Sequence, residues 1–367
     1  MKTAKVAVMV GVDQPFEIRE YPLTVPEEGM AQMKLISSGV CGTDIRIHRG
    51  KIPVALPATI GHEFVGEVMN ISENDSKKSG IQAGDRVIVD IACPCGECLL
   101  CHDGDDANCV HMGLTNGGNV EVAPHFYGGY GEYNYSPVSN LIKIPDALDA
   151  KMTSIFACAG PTALHAFHLA KKAGEHPEEA KVAVVQGAGP VALFATMYLA
   201  SLGIPNVIVL VPDAERKPER TMLVKKMGAT EVLSINKLGM ENIVQHVNEL
   251  SDGLGADLVF EGSGAPVAVP QGMSLLRNRG LYLIPGQYSN SGGIEIQPQL
   301  ITFKALHIIG SSQYSVSDVH AYLKFLEKNP QLHELILQTA TCYHVEDVNQ
   351  AFDDMKARKN MKTLLVP

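Results

Sequence analysis

The stretch Lys181-Val-Ala-Val-Val-Gln-Gly-Ala-Gly-Pro-Val-Ala192 decides the fold, because it joins an apolar run to a helical pattern through two glycines. The run Lys181–Gln186 predicts a buried strand, and Val191–Leu202 predicts the helix that follows it. The same alternation continues to about residue 310, which predicts a parallel sheet with right-handed crossovers. The further expected strands are Val207–Val211, Glu231–Ile235, Asp257–Glu261, Leu281–Ile284 and His307–Gly310, with helices at Arg220–Met227, Met240–Leu250 and Val267–Arg277.

The glycines of this stretch are typical of a dinucleotide-binding loop. Gly187 permits the tight turn, Gly189 lets the backbone approach a pyrophosphate, and a small Ala192 lets helix pack on strand. Phosphates are attracted to the N-terminus of the helix that Pro190 and Val191 begin. The loop therefore predicts a nucleotide site, and an ordinary tight turn is the alternative.

The end of the second strand leaves the choice between NAD and NADP open. The acid expected there, which would bind the ribose 2′-hydroxyl, is replaced by Val211 and Pro212, with Asp213 just beyond. The cations that follow could neutralise a 2′-phosphate, or could equally form a solvated first helical turn; they are Arg216, Lys217 and Arg220.

The N-terminal part of the chain has a different texture. Short β-type runs punctuated by Gly, Pro, Asn and Asp predict a domain of barrel type up to about residue 155. In the C-terminal part of the chain the sequence predicts two helices, Ser317–Lys328 and Val345–Arg358. The expected N-terminal strands are Val6–Val10, Met30–Ser37, Phe64–Ile71, Arg86–Asp90 and Asn140–Ile144.

Composition restricts the function classes. The 367 residues are 46% hydrophobic and 19% charged, with a net charge of −10. This predicts a two-domain globular protein and argues against nucleic acid or an anionic membrane as partners. The N-terminus is typical of a first strand and not of a signal peptide, and the uncharged run Val182–Pro212 is broken by Gly and Pro into a β-α-β unit. We expect a cytoplasmic protein with small-molecule partners.

Four cysteines are spaced as C-x2-C-x2-C-x7-C, a pattern typical of a metal site. Four thiolates can surround one tetrahedral Zn²⁺ and leave no open position, so such a lobe is structural. The alternative, a pair of disulfides, suits a cytosolic chain poorly. The lobe occupies residues 93–110, and its four cysteines are Cys95, Cys98, Cys101 and Cys109.

Cys41, His62 and Cys158 are three further ligand candidates, widely spaced along the chain. Two thiolates and one imidazole form a three-ligand zinc set whose fourth position is open to water or substrate. Taken singly, each residue is more typical of a core thiol or a hydrogen-bonded histidine, and spacing alone cannot unite them.

Several ordered motifs give the chain a resemblance to a known family. It resembles the zinc-dependent medium-chain alcohol dehydrogenases over nearly its whole length. The motifs are Cys41-Gly-Thr-Asp44, Gly61-His-Glu-Phe-Val-Gly-Glu67, the four-cysteine lobe, Gly129-Tyr-Gly-Glu-Tyr133, Cys158-Ala-Gly160, the Gly187 loop and Lys362-Thr-Leu-Leu365.

The resemblance implies an α/β architecture of two domains. A GroES-like β-barrel catalytic domain would comprise 1–158 and the return segment 306–367. A doubly wound parallel-sheet Rossmann domain would comprise 159–305. The resemblance also implies two Zn²⁺ per chain, NAD or NADP as cofactor, and a homodimer or homotetramer.

Roles for individual residues follow from the resemblance. Cys41, His62 and Cys158 correspond to the catalytic zinc ligands, and Glu63 to an acidic neighbour that can approach the metal. Asp44 corresponds to the carboxylate that orients the ligand histidine. The remaining counterparts are Thr43 at the substrate oxygen, Thr162 against the nicotinamide and Lys362 near the pyrophosphate.

The chain departs from the family pattern at Arg46, which stands where many members have a relay histidine. An arginine stays protonated and cannot act as that base. His48, two residues on, is a candidate replacement, and a surface or hydrogen-bonded histidine is the alternative.

The favoured function is hydride transfer between an alcohol and NAD(P), with a secondary alcohol or polyol as substrate. The polyol preference rests on the Gly42–Arg46 turn and on an aromatic content of only 6%. One alternative is a reductase of aldehydes or ketones, and another is a nucleotide-binding member that has lost catalysis. The metal content per chain separates the last alternative from an enzyme.

Overall fold

The structure is a computed structural model that describes residues 2–116, 118–287 and 291–367. The chain divides into two compact units. The first contains the chain up to Cys158 and again from Ser315, and the second runs from Ala159 to Tyr314. The second unit therefore extends beyond the boundary expected at 305, because the strand His307–Gly310 pairs with its large sheet.

The first unit is built around a seven-stranded sheet that is mostly antiparallel. The last strand of the chain, Lys362–Val366, pairs with the long strand Met30–Val40, so residues from both ends of the chain meet in one sheet. The strands are β1 Thr3–Val8, β2 Glu17–Pro22, β3 Met30–Val40, β4 Phe64–Asn70, β5 Arg86–Val89, β6 Ala92–Cys93, β7 Gly113–Leu114, β8 Tyr133–Pro137, β9 Leu141–Lys143, β16 Ala340–His344 and β17 Lys362–Val366.

The second unit contains a six-stranded sheet in which every pair is parallel, with the order β12-β11-β10-β13-β14-β15. After β10 the chain adds β11 and β12 on one side of it, and then β13, β14 and β15 on the other side. The direction in which successive strands are added therefore reverses beside β10. Ligands of such sheets bind at this reversal, beyond the carboxyl ends of the strands. The strands are β10 Val182–Gln186, β11 Asn206–Val211, β12 Glu231–Ser234, β13 Ala256–Glu261, β14 Leu276–Ile284 and β15 His307–Gly310.

Helices accompany both sheets. The uncharged run Val182–Pro212 forms β10, a helix and β11, and no helix among the described residues is long and apolar enough to cross a membrane. The helices are α1 Gly42–His48, α2 Glu73–Ser79, α3 Leu99–His102, α4 Ala150–Ser154, α5 Ala159–Lys172, α6 Pro190–Ser201, α7 Pro218–Lys226, α8 Ile235–Leu238, α9 Met240–Leu250, α10 Ala268–Leu275, α11 Gln299–Lys304, α12 Val316–Lys328, α13 His333–Leu337 and α14 Val348–Lys356.

The predicted α/β class with a doubly wound parallel sheet is confirmed, and all six of its expected strands are present. Some boundaries differ. β14 begins at Leu276 and not at Leu281, so α10 ends at Leu275. β2 was not expected, because its sequence Glu-Ile-Arg-Glu-Tyr-Pro carries three charges. The strand is largely exposed and pairs with β1.

Candidate active site and metal lobe

Four residues distant in sequence form one cluster in the first unit. One ligand atom from each of Cys41, His62, Glu63 and Cys158 lies within 4.8 Å of the others. Cys41 stands between β3 and α1, His62 and Glu63 directly precede β4, and Cys158 follows α4. Because β3 and β4 are paired, their adjoining ends bring Cys41 and His62 together. Strand pairing thus brings together Cys41 and His62, which spacing alone could not unite.

Asp44 holds the imidazole of this cluster in place. Its Oδ1 lies 3.0 Å from Nδ1 of His62, and its Oδ2 accepts a hydrogen bond of 2.8 Å from the Cys41 N–H. Burial opposes a charge on His62, but Asp44 and Cys41 outweigh it and raise the pKa of His62 well above its ordinary value. Since Nδ1 is engaged by Asp44, Nε2 is the nitrogen available to a metal.

The two thiols differ in their affinity for a proton. A hydrogen bond from Cys158 lowers the pKa of Cys41 well below its ordinary value, and the same bond raises the pKa of Cys158. The hydroxyl of Thr43 lies 3.7 Å from Cys41 Sγ. Two sulfurs and one imidazole nitrogen match the donor set of a catalytic zinc site. The residues present therefore fit one Zn²⁺, with Glu63 beside it.

Glu63 is engaged by a lysine from the other end of the chain. Nζ of Lys362 contacts Oε2 of Glu63, and the two side chains are 2% and 1% exposed. Gly39 makes room for the pair, because a Cβ at that position would collide with the Glu63 carboxylate. The resemblance implies a place near the cofactor pyrophosphate for Lys362, whereas its contact in the structure is Glu63.

His48 lies in an aromatic environment. Its Nε2 is 2.8 Å from the Gln14 carbonyl oxygen, and its Nδ1 is 3.6 Å from Asp13 Oδ1. The ring centroids of Phe16 and Phe352 lie 5.2 and 5.4 Å from that of His48. None of these partners belongs to the zinc-ligand cluster, so the relay role of His48 stays a prediction.

The four-cysteine segment forms a second cluster. Its ligand sulfurs also lie within 4.8 Å of one another, and all four are free thiols. Cys98 Sγ is 3.5 Å from Cys101 Sγ and 3.9 Å from Cys109 Sγ, whereas a disulfide needs about 2.05 Å. Backbone N–H groups of Cys101 and Val110 lower the pKa of Cys98 to about 6. The lobe therefore fits a closed, four-sulfur zinc site.

The glycine loop of the second unit has the geometry expected of it. Gly187 has φ of +99°, and a Cβ there would lie 3.0 Å from Ser263 atoms, so glycine is required. Gly189 is the N-cap of α6, which Pro190 and Val191 open. Ala192 packs against Gly262, where an added Cβ would be 2.9 Å away. The loop thus leaves the N-terminus of α6 beyond the carboxyl end of β10, where the strand order reverses.

The segment after β11 carries clustered cations. Burial lowers the pKa of Lys217, and the charges of Arg220 and Arg216 lower it further. Asp213 accepts a 3.1 Å hydrogen bond from the Arg216 N–H through Oδ1.

Thr162, which the resemblance places against the nicotinamide, lies in the first turn of α5.

Tyr130 is a site residue that sequence reasoning missed. Its hydroxyl donates a hydrogen bond of 2.7 Å to Asp44 Oδ2, and the residue is fully buried. The Gly129–Tyr133 motif marks this part of the chain, but no pattern in it indicates that the tyrosine reaches Asp44.

Comparison with known proteins identifies the family. The Alcohol dehydrogenase GroES-like domain matches residues 27–146, and the Zinc-binding dehydrogenase domain matches residues 190–328. The chain belongs to the zinc-dependent medium-chain alcohol dehydrogenase family. It is therefore an oxidoreductase that depends on zinc and NAD(P), with an alcohol as its small-molecule substrate.

Characterised relatives match over nearly their whole length. The chain is 29% identical to a sorbitol dehydrogenase of Halalkalibacterium halodurans, with 96% of each chain covered. It is 27% identical to an L-threonine 3-dehydrogenase of Bacillus subtilis, with 100% of each covered. The crystal structure of an alcohol dehydrogenase from Thermotoga maritima has a TM-score of 0.89 at 25% identity, covering 100% of each chain.

Proposed function

We propose that this dehydrogenase oxidises a polyol or another secondary alcohol, with two Zn²⁺ per chain and NADP as the preferred cofactor. The cluster of Cys41, His62 and Cys158 is the observation that carries the proposal, because two thiolates and one imidazole are the donor set of zinc sites whose fourth position takes a substrate oxygen. The polyol class is supported by relatives named sorbitol dehydrogenase and D-xylulose reductase A. Both names refer to polyhydroxylated compounds.

The chain's own side chains account for the handling of the substrate. A zinc ion bound at the cluster would supply Lewis-acid polarisation of the alcohol oxygen and lower its pKa. We expect Thr43, whose hydroxyl lies beside Cys41 Sγ, to accept a hydrogen bond from the substrate's hydroxyl and to relay its proton by releasing its own toward solvent. Asp44 keeps the His62 ring in one orientation, and the buried Lys362 holds the Glu63 carboxylate at the cluster. Alignment of the reacting carbon for hydride transfer is the protein's main contribution.

Two zinc sites per chain are supported by the two separate donor clusters. The four-sulfur lobe is closed and structural, while the mixed sulfur–nitrogen cluster keeps an open side and is catalytic. A member that had lost catalysis would have no use for the second set, so the intact cluster supports an enzyme.

The preference for NADP rests on charge at the end of β11. Val211 stands in place of the acid that would repel a phosphate, and Arg216, Lys217 and Arg220 lie near one another. Guanidinium and ammonium groups pair strongly with phosphate oxygens.

A homodimer is the assembly that the second unit supports. β15 is an edge strand, and such edges are ready to pair with another strand. Ile308 on this edge is 38% exposed, and Phe303 just before it is 79% exposed. None of the eight cysteines forms a disulfide, which suits the reducing cytoplasm, where we expect the enzyme to act.

The proposal is tested by assaying nicotinamide reduction by zinc-loaded protein against polyols, simple alcohols and hydroxy or amino acids. Each substrate is offered with NAD⁺ and with NADP⁺, and the matching ketones are offered with the reduced cofactors. We expect a polyol or other secondary alcohol to be oxidised, with a lower KM for NADP⁺. A preference for primary alcohols would contradict the substrate class, and a preference for NAD⁺ would contradict the cofactor assignment.

A further inference from the structure

We propose that Tyr130 is a positioning residue for His62, acting through Asp44. Three groups from different parts of the chain converge on the Asp44 carboxylate. The Tyr130 hydroxyl and the Cys41 N–H donate to Oδ2 at 2.7 and 2.8 Å, and His62 Nδ1 lies 3.0 Å from Oδ1. Asp44 therefore links Tyr130 to two of the candidate zinc ligands. The inference rests on the proposed function only in taking the cluster as a zinc site.

The hydroxyl matters because Asp44 is completely buried. Water cannot replace a lost donor there, so the loss of one hydrogen-bond partner of the carboxylate is not compensated. Without the Tyr130 hydroxyl, the Cys41 N–H would be the one remaining donor to Oδ2 from the part of the chain that the structure describes. The carboxylate would then be held by one donor fewer, and Oδ1 would hold the His62 ring less firmly at one angle.

The ring of Tyr130 is itself held in place. A Cβ on Gly61, the residue before His62, would lie only 2.6 Å from Tyr130 Cδ1, and Gly61 has φ of +97°. The ring therefore packs directly against the backbone that carries His62. Phe16 and Phe352 meet it edge-on at centroid distances of 6.1 and 5.8 Å. Burial and the charge of Asp44 raise the pKa of Tyr130 well above its ordinary value, so the hydroxyl keeps its proton.

The test variant is Tyr130→Phe, which removes the hydroxyl and leaves the ring in its packing. Its matched control is Tyr135→Phe. Tyr135 is also buried, and its hydroxyl donates a 2.7 Å bond to the Thr24 carbonyl oxygen and accepts bonds from the Thr24 N–H and the Gln32 amide, so its loss is the more severe one for stability. Both variants lose one buried tyrosine hydroxyl, but only Tyr130 contacts Asp44. A difference between them therefore reports on the link to His62 and not on general stability.

The measurement is the rate at which each zinc-loaded protein releases its metal to a chromogenic chelator. Partners of metal ligands typically change metal affinity by about 10- to 100-fold. We expect Tyr130→Phe to release the zinc of the Cys41 cluster several-fold to about 10-fold faster than wild type, because Asp44 and not Tyr130 is the direct partner of His62. Zinc in the four-cysteine lobe should leave at the wild-type rate. Tyr135→Phe should match wild type in both phases.

The Co²⁺-loaded proteins provide a second readout. The absorption bands of Co²⁺ at the cluster should shift in Tyr130→Phe and stay unchanged in Tyr135→Phe. In the double variant Asp44→Asn/Tyr130→Phe, the second change should add little to the first, because both act through one carboxylate.

The outcomes separate this inference from the proposed function, since metal release needs no alcohol. Equal release rates and spectra in the two tyrosine variants would overturn the positioning role alone. A wild-type protein that binds no zinc at the Cys41 cluster would overturn the positioning role and the proposed function together. An inactive enzyme that retains both zinc ions would contradict only the proposed substrate class.

Discussion

Lys362 on the final strand forms a buried ion pair with Glu63, the residue that follows the candidate zinc ligand His62. The two residues are 299 positions apart, and they meet because β17 pairs with β3 beside the cluster. The charges of Glu63 and Cys41 outweigh burial and raise the pKa of Lys362, so the lysine stays charged. The end of the chain thus helps to build the candidate active site.

Lys362→Met should strongly destabilise the first unit, because it leaves the Glu63 carboxylate buried without its partner. Breaking a buried ion pair in this way costs about 3–5 kcal/mol. The free energy of unfolding measured in urea should fall by that amount. The double variant Glu63→Gln/Lys362→Met should recover part of the loss, since no uncompensated charge remains. Equal stability of the single and double variants would show that the pair contributes only packing.

Asp90 should make stability depend on pH. It is 1% exposed, and burial together with the charge of Asp106 raises its pKa to about 7 from an ordinary 3.8. A carboxyl group whose pKa is higher in the folded than in the unfolded state stabilises the folded protein most at pH values below its unfolded pKa. That contribution declines as pH rises from about 4 to about 7, by up to about 4 kcal/mol.

Asp90→Asn should remove this decline and leave the variant more stable than wild type at pH about 8. Asp146→Asn is the control, because that side chain is 98% exposed. The measurement is the free energy of unfolding of both variants and wild type between pH about 5 and about 8. A constant difference between Asp90→Asn and wild type over that range would exclude a titrating Asp90.

The zinc lobe should depend on its four ligand cysteines and not on Cys93. Cys93 lies in β6 outside the four-sulfur cluster, and burial raises the pKa of its thiol. Cys101→Ser should therefore lose one zinc per chain, and Cys93→Ser should lose none. Metal analysis of dialysed protein measures both. Zinc loss on replacement of Cys93 would assign that thiol to the metal.

The cationic segment after β11 should determine cofactor preference. Losing two phosphate partners, in the variant Arg216→Ala/Lys217→Ala, should raise the KM for NADP⁺ by about 10-fold or more and change that for NAD⁺ little. The control is Lys237→Ala, which also removes a cation near this segment. Its charge is already paired with Glu215, so its loss should leave the KM for NADP⁺ little changed. An equal rise for both cofactors would place these cations away from the 2′-phosphate.

The sequence predicts local structure well where one pattern determines it. The Gly187 loop and the strand before it could be identified because turn geometry and apolar periodicity both act over a few residues. The four cysteines of the lobe lie within 15 positions, from Cys95 to Cys109, so their spacing is sufficient to indicate a metal.

The catalytic cluster is harder to predict, because its members meet only through tertiary pairing. Cys41, His62 and Cys158 could be united only by resemblance to a family, since strand pairing between β3 and β4 brings the first two together. The contacts of Tyr130 with Asp44 and of Lys362 with Glu63 leave no periodic signal in the sequence. Both depend on which buried polar groups the fold places side by side.

The most direct test of the central claim is transfer of deuterium from a polyol labelled at the reacting carbon to the nicotinamide of NADP⁺. Protein with two zinc ions per chain should transfer the label to the cofactor. Cys158→Ser, which loses one ligand of the cluster, should transfer none while retaining the zinc of the lobe. Absence of transfer by the two-zinc protein from every polyol and secondary alcohol, or undiminished transfer by Cys158→Ser, would contradict the account.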